Sequence, residues 1–156
     1  MKRVILSLAA MLLASTGAQA ACILSTVSTS GVAFGSFNPL PGLSANTTGT
    51  ISVTCTGLLF STASYTIAIT SGLGTFAARK MVSGPDQLTY NLYRDSAFTQ
   101  VWGDGSGSTF TVSDTVTIPV TLSITTNYVV YSRIASGQNA AKAHTYTDSL
   151  VVTVTY

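Results

Sequence analysis

An all-β fold, an antiparallel sandwich, is what this sequence predicts, and three observations predict it. The chain is rich in Thr, Ser, Val, Ile and Tyr and only 8% charged, a composition that suits pleated, half-buried surfaces rather than helices. Apolar and polar residues alternate in several short runs, the two-residue period of a strand with one buried face. Gly and Pro punctuate those runs, as turns require. A closed barrel is the alternative arrangement of the same strands.

The first twenty residues stand apart from this pattern. Lys2 and Arg3 precede the apolar run 4–14, and Ala18-Gln19-Ala20 supplies small residues at a cleavage position. Residues 1–20 are therefore expected to be a secretory signal peptide and residues 21–156 a single domain. Gln19 stands where a lipoprotein signal wants an aliphatic residue, which favours ordinary cleavage before Ala21. No later stretch reaches the ~20 apolar residues of a membrane helix, so no stable membrane span is expected.

Two of the seven basic residues lie in the signal segment. Arg79, Lys80, Arg94, Arg133 and Lys142 remain, against five Asp and no Glu. A domain so close to neutral has no electrostatic footprint for nucleic acid.

Residues 31–37 (GVAFGSF) read as a short strand leading into the turn 38–42 (NPLPG). Residues 49–56 alternate with Ile51, Val53 and Cys55 on one face. Residues 64–70 do the same with Tyr65, Ile67 and Ile69, and residues 87–94 with Leu88, Tyr90 and Leu92. A Gly-rich turn, WGDGSGST, occupies 102–109. Val116, Ile118, Val120, Leu122 and Ile124 share one parity, which predicts a long strand whose Pro119 places it at an edge or a bulge. Residues 128–134 form another strand, and Leu150, Val152, Val154 and Tyr156 mark the last.

Cys22 and Cys55 are the only cysteines, and in an exported chain they are expected to form a disulfide. Closing a loop of about 33 residues contributes roughly 3–4 kcal/mol in the chain-entropy view.

Chemistry is hard to find. His144 is the only histidine, and no Gly-x-Ser-x-Gly elbow directs a serine towards it. With Glu absent, a paired-carboxylate site would have to draw on scattered Asp residues. Asp104 offers a single carboxylate where a Ca²⁺ loop offers several. No enzyme, metal site or cofactor is expected. Trp102 and Asp104 are kept as a candidate ligand loop, within an alternative reading as a surface adhesin or carbohydrate-binding module. Arg94 and Arg133 are expected to satisfy turn carbonyls, with partner binding as the alternative. The Asn46-Thr47-Thr48 sequon is silent in a bacterial host.

In order along the chain, an early Cys22 is followed by VAFGSFNPL, then GTISVTC with the second Cys, LTYNLYRD, VWGDGSG, IASGQ and a closing YTDSLVVTVTY. This series, spanning Cys22 to Tyr156, resembles the spore coat protein U domain family, whose domain also builds the pilins of archaic chaperone–usher pili. One small departure is Ala135, where many relatives carry Pro ahead of a turn.

The resemblance implies an immunoglobulin-like sandwich lacking its final strand. A periplasmic chaperone, and later a neighbouring subunit in a fibre, would lend that strand. The implied partners are the chaperone, an outer-membrane usher and other pilus or coat subunits, with no nucleic acid. The implied location is the cell surface, reached through the periplasm. Leu150, Val152, Val154 and Tyr156 would edge the groove that receives the strand. A donor burying four apolar side chains at roughly 1.5–3 kcal/mol each contributes about 6–12 kcal/mol, comparable with the ~5–15 kcal/mol stability of a whole domain.

Polymerising relatives carry their donor segment ahead of the first Cys, and cleavage after Ala20 would leave Ala21 alone there. The chain is thus expected to accept a strand without giving one, as a tip or cap subunit. Tip subunits generally carry a second, adhesive domain, so a solitary coat or surface protein is the other possibility.

Overall fold

The computed structural model describes residues 23–37 and 43–156, with side chains described from residue 26 onward. Residues 1–20 (the expected signal peptide), Cys22 and residues 38–42 (the expected turn) lie outside the described residues. Within them the chain forms eight strands: β1 (Ile23–Ser30), β2 (Ala45–Thr56), β3 (Thr62–Ile69), β4 (Arg79–Ser83), β5 (Asp86–Tyr93), β6 (Val112–Thr117), β7 (Ser123–Ile134) and β8 (Val152–Thr155). Five make one antiparallel sheet in the order β1-β2-β7-β5-β4, and three make a second in the order β6-β3-β8. No described helix is long and apolar enough to cross a membrane.

Alternation explains which side of each sheet is the core. The long β2–β7 ladder pairs Ile51 with Tyr128, Val53 with Thr126 and Cys55 with Ile124, all on the inner face. The opposite face is a hydroxyl surface, where Thr54 bonds Thr125 at 2.8 Å and Ser52 bonds Asn127 at 2.7 Å. On the second sheet, Tyr65, Ile67 and Ile69 point inward and are buried, while Ser64 and Thr66 bond Thr115 and Ser113 outside. Cys55 is buried and disulfide-bonded.

Several elements differ from the sequence expectation. Residues 31–37 are not a strand, whereas Ile23–Ser30, which lacks a clear apolar parity, is. The stretch from Val116 to Ile124 is not continuous. β6 ends at Thr117, residues 118–122 turn, and β7 begins at Ser123. Leu122 adopts a left-handed conformation at φ 62° and bonds back to the Pro119 carbonyl, a backbone state that a Leu side chain does not advertise. Pro119 therefore sits in a turn, where its missing N–H costs no ladder bond.

One end of the sandwich is tightly closed. Trp102 is 0% exposed, its indole N–H donates to the Ile67 carbonyl at 3.1 Å and its backbone N–H to that of Leu92 at 2.9 Å, so it ties β3 to β5. Arg79 is equally buried, and its guanidinium donates to the carbonyls of Thr70 and Trp102 and to Asn91 Oδ1. Burial pulls the Arg79 pKa down, yet every bond it makes is one that only a donor-rich cation satisfies.

Candidate functional site: an open cleft between the sheets

Five strands face three, so part of the larger sheet has no cover. Val27 on β1 pairs with the buried Val53 and shares its inward face, but Val27 is 37% exposed. An inward valine that meets solvent marks the uncovered flank.

Two chain segments border this flank. On one side is β8, which pairs with β3 through Ile67–Val154 and Ile69–Val152 and ends its sheet. Val152 and Val154 point inward and are only partly buried, with Leu150 packed beside them. On the other side run residues 31–37, whose backbone bonds to no other described residue. Their side chains nonetheless alternate. Val32 and Phe34 pack on the core while Ala33 is exposed, and the Phe34 ring meets Tyr90 edge-on at 6.2 Å. Residues 31–34 thus alternate like a strand before Gly35, at φ 65°, breaks the pattern, and residues 31–37 have no ladder partner among the described residues.

Between these borders lies a cleft of about 310 Å³, walled by Gly31, Val32, Phe34, Leu150 and Val152 over a floor that includes Ile51 and Leu92. A wider cavity of about 880 Å³ continues past Val32, Phe34, Met81 and Tyr146 to Leu88 and Ile134. The chain itself closes the cleft where it crosses between sheets. Thr147 exchanges both backbone bonds with Val82 on β4 at 2.9 and 3.1 Å, and five residues later the chain joins β3 as β8.

Asp148 stands at that crossing. Its carboxylate accepts from Tyr90 Oη at 2.8 Å and from the Ser149 N–H at 2.8 Å. Burial, and then the bond to Asp148, push the Tyr90 phenol well above its ordinary pKa. These interactions hold a polar pair at the end of a mainly apolar cleft.

The residues singled out from the sequence fall in different places. Leu150 and Val152 line the cleft, Val154 lies further along β8 with the same inward parity, and Tyr156 is 58% exposed beyond the end of β8. Trp102 is a core residue and faces no ligand; burial within a Gly-rich stretch, not exposure on it, is its position. Asp104 remains at the surface, held below the usual carboxylate range by the Ser106 hydroxyl and N–H, with Thr109 also bonding it. His144 is exposed, 3.4 Å from Asp86, which also takes Lys142 at 3.0 Å. Among the described residues no cluster of His, Cys, Asp or Glu is placed to hold a metal.

Arg94 does reach a turn carbonyl, that of Thr111 at 2.7 Å, and stacks on Phe110. Arg133 instead bonds Asn46 and lies 3.9 Å over the Phe98 ring. The arginine that satisfies buried carbonyls is Arg79, which sequence reasoning passed over.

A second surface also went unnoticed in the sequence. Loops 57–61 and 118–122 run side by side, joined by Phe60 N–H to the Ile118 carbonyl at 2.9 Å and Ile118 N–H to that of Ser61 at 2.8 Å. They present Leu58, Phe60 and Val120, each at least 70% exposed, with Leu59 and Leu122 beside them. Phe60, like Leu122, holds a left-handed backbone, at φ 59°.

The sequence model of the family described as Spore Coat Protein U domain matches residues 8–153. No curated protein sequence matches the chain. Among solved structures, similarity is found to a chain in the crystal structure of the CsuC–CsuE chaperone–tip adhesion subunit pre-assembly complex, from archaic chaperone–usher Csu pili of Acinetobacter baumannii. The identity is 20% and the TM-score 0.48, over 84% of this chain and 40% of that one. The chain therefore spans less than half the length of that relative.

Proposed function

Since the chain belongs to the spore coat protein U domain family, we propose that it is a secreted structural subunit of a cell-surface fibre or coat. In this reading it is completed by a strand from another polypeptide. The observation that carries the proposal is the pair of unpaired backbones flanking one apolar cleft, the free edge of β8 and residues 31–37. A strand laid between them would bond to both and cover Val27, Val152 and Val154. An open edge of this kind invites wrong pairing, so a periplasmic chaperone is the natural first occupant, with an outer-membrane usher and neighbouring subunits following. The reading extends to a subunit that accepts such a strand, at the tip or cap of a fibre.

Expression in a periplasm with and without a cognate chaperone tests the proposal. The chain is expected to be recovered as a one-to-one complex, and to aggregate or be degraded alone. A lone monomer that unfolds reversibly with high stability would exclude it.

A second reading, adhesion, is favoured by the apolar loops 57–61 and 118–122. Patches of this kind on soluble proteins mark contact surfaces. Replacing Leu58 and Phe60 with Ser is expected to reduce retention on a hydrophobic surface while leaving chaperone binding intact. Unchanged retention would remove this reading.

A further inference from the structure

We propose that Asp148 is a specificity-determining group of the cleft, one that selects an incoming strand carrying a hydroxyl or amide side chain, Ser, Thr or Asn, at a single inward position. The inference rests on the strand-acceptor reading and adds the chemistry of the strand.

Asp148 shares the parity of Leu150, Val152 and Val154, so the inward series bordering the cleft reads carboxylate, then three apolar residues. Asp148 lines the cleft together with Leu150, Phe34 and Tyr90. A carboxylate offers about four acceptor positions. Within the chain, Tyr90 Oη fills one on Oδ2, the Ser149 N–H fills one on Oδ1, and the Leu73 N–H reaches Oδ1 at a long 3.4 Å. The loop behind leaves no slack. Gly72 has φ +64°, and a Cβ there would lie 2.3 Å from Asp148 Oδ2. The carboxylate is held from behind by this loop and lines the cleft on its other side, with acceptor capacity beyond these donors.

An open cleft lets water serve that capacity. A strand laid along β8 expels the water, and a charged oxygen facing an apolar side chain is then left short of a partner, which is costly. A short donor side chain opposite Asp148 restores the bond. At every other inward position, facing Leu150, Val152 or Val154, an apolar side chain is preferred. Because a strand shifted by one residue turns all its side chains over, one polar position among apolar ones also fixes register. A uniformly apolar strand would leave register free to slip.

The experiment uses the full chain with a strand of alternating valines appended through a flexible linker after Tyr156. Each inward Val is replaced by Thr in turn, and the melting temperature is read. One position is expected to prefer Thr, by about 3 °C, and competing synthetic peptides are expected to show about a tenfold preference at the same position. Asp148→Leu should reverse the preference. Tyr90→Phe, which leaves the carboxylate needing one more donor, should enlarge it, and this variant keeps the test decisive if Asp148→Leu does not fold. Val preferred at all positions, or the same Thr preference with Leu at position 148, overturns the inference while the strand-acceptor reading stands. If no appended strand raises the melting temperature, both fall together.

Discussion

The two flanks of this sandwich are built from similar residues and behave oppositely. Where β3 faces β5, Trp102 and Arg79 knit the sheets together through the carbonyls of Ile67, Thr70 and Trp102. Where β1 faces β8, the apolar side chains have the same inward parity, yet among the described residues no strand bridges the gap, and Val27 meets solvent. Apolar pattern alone thus does not distinguish a finished core from an unfinished one. The difference lies in hydrogen bonding between the sheets, since side chains of Trp102 and Arg79 tie them together at the closed flank and no such tie crosses the cleft among the described residues.

The most severe way to break this contrast is to open the closed flank. Trp102→Ala removes a fully buried ring and a bond between sheets, a loss of about 3–5 kcal/mol. Against a total of ~5–15 kcal/mol, little folded protein should survive even with a strand appended. Trp102→Phe keeps most of the volume and should lose only the indole bond, about 1 kcal/mol. Urea unfolding of the strand-appended chain measures both, and equal losses would mean that Trp102 acts by hydrogen bonding alone.

The open flank should answer differently, and a matched pair of valines shows how. Val53→Ala, in the covered core, is expected to cost about 2 kcal/mol whether or not the cleft is filled. Val27 lies on the same face of the adjoining strand but is uncovered. Val27→Ala should cost less than about 0.5 kcal/mol in the chaperone-free chain. Once a strand covers the site, its cost should rise to about 1–2 kcal/mol. If Val27 were equally insensitive with the strand in place, the strand would not lie over β1.

How far these flanks are legible in the sequence follows from what each side chain advertises. The ladders of β2, β3 and β5 are plain because Ile51–Val53–Cys55, Tyr65–Ile67–Ile69 and Leu88–Tyr90–Leu92 alternate without interruption. β1 hides because its Thr and Ser occupy both faces, and β4 because Arg79 reads as a surface residue while being buried. Parity misled at residues 116–124, where five apolar residues in step span a turn. Trp102 looked like a loop residue because a Gly-rich run follows it, although Gly103 is itself packed against Thr109. The alternation of Leu150, Val152 and Val154 was readable, whereas the lack of a ladder partner at 31–37 was not. A strand-like sequence does not reveal that its backbone lacks a partner, since that depends on the position of the second sheet.

The mildest probe compares two tyrosines, one on each flank. Tyr90 lines the open cleft and bonds Asp148; Tyr128 bridges the sheets on the closed flank, donating to Asp114 at 2.5 Å and accepting from Tyr65 at 2.6 Å. For each, burial is the larger cause and hydrogen bonding the next, and both raise the pKa above the ordinary phenol value. A raised pKa means the folded state holds its proton more tightly than the unfolded state does. The stabilisation is therefore complete below the unfolded value of about 10 and is lost as pH rises from there through the folded values. Unfolding should become easier above pH ~10, and Tyr90→Phe and Tyr128→Phe should each flatten that decline. Filling the cleft sharpens the comparison, because a strand removes water from Tyr90 and leaves Tyr128 unchanged. Phenolate absorbance during alkaline titration should then show the Tyr90 transition moving further up in the strand-appended chain, with that of Tyr128 fixed. Equal movement of both, or of neither, would place the added strand somewhere other than over Tyr90.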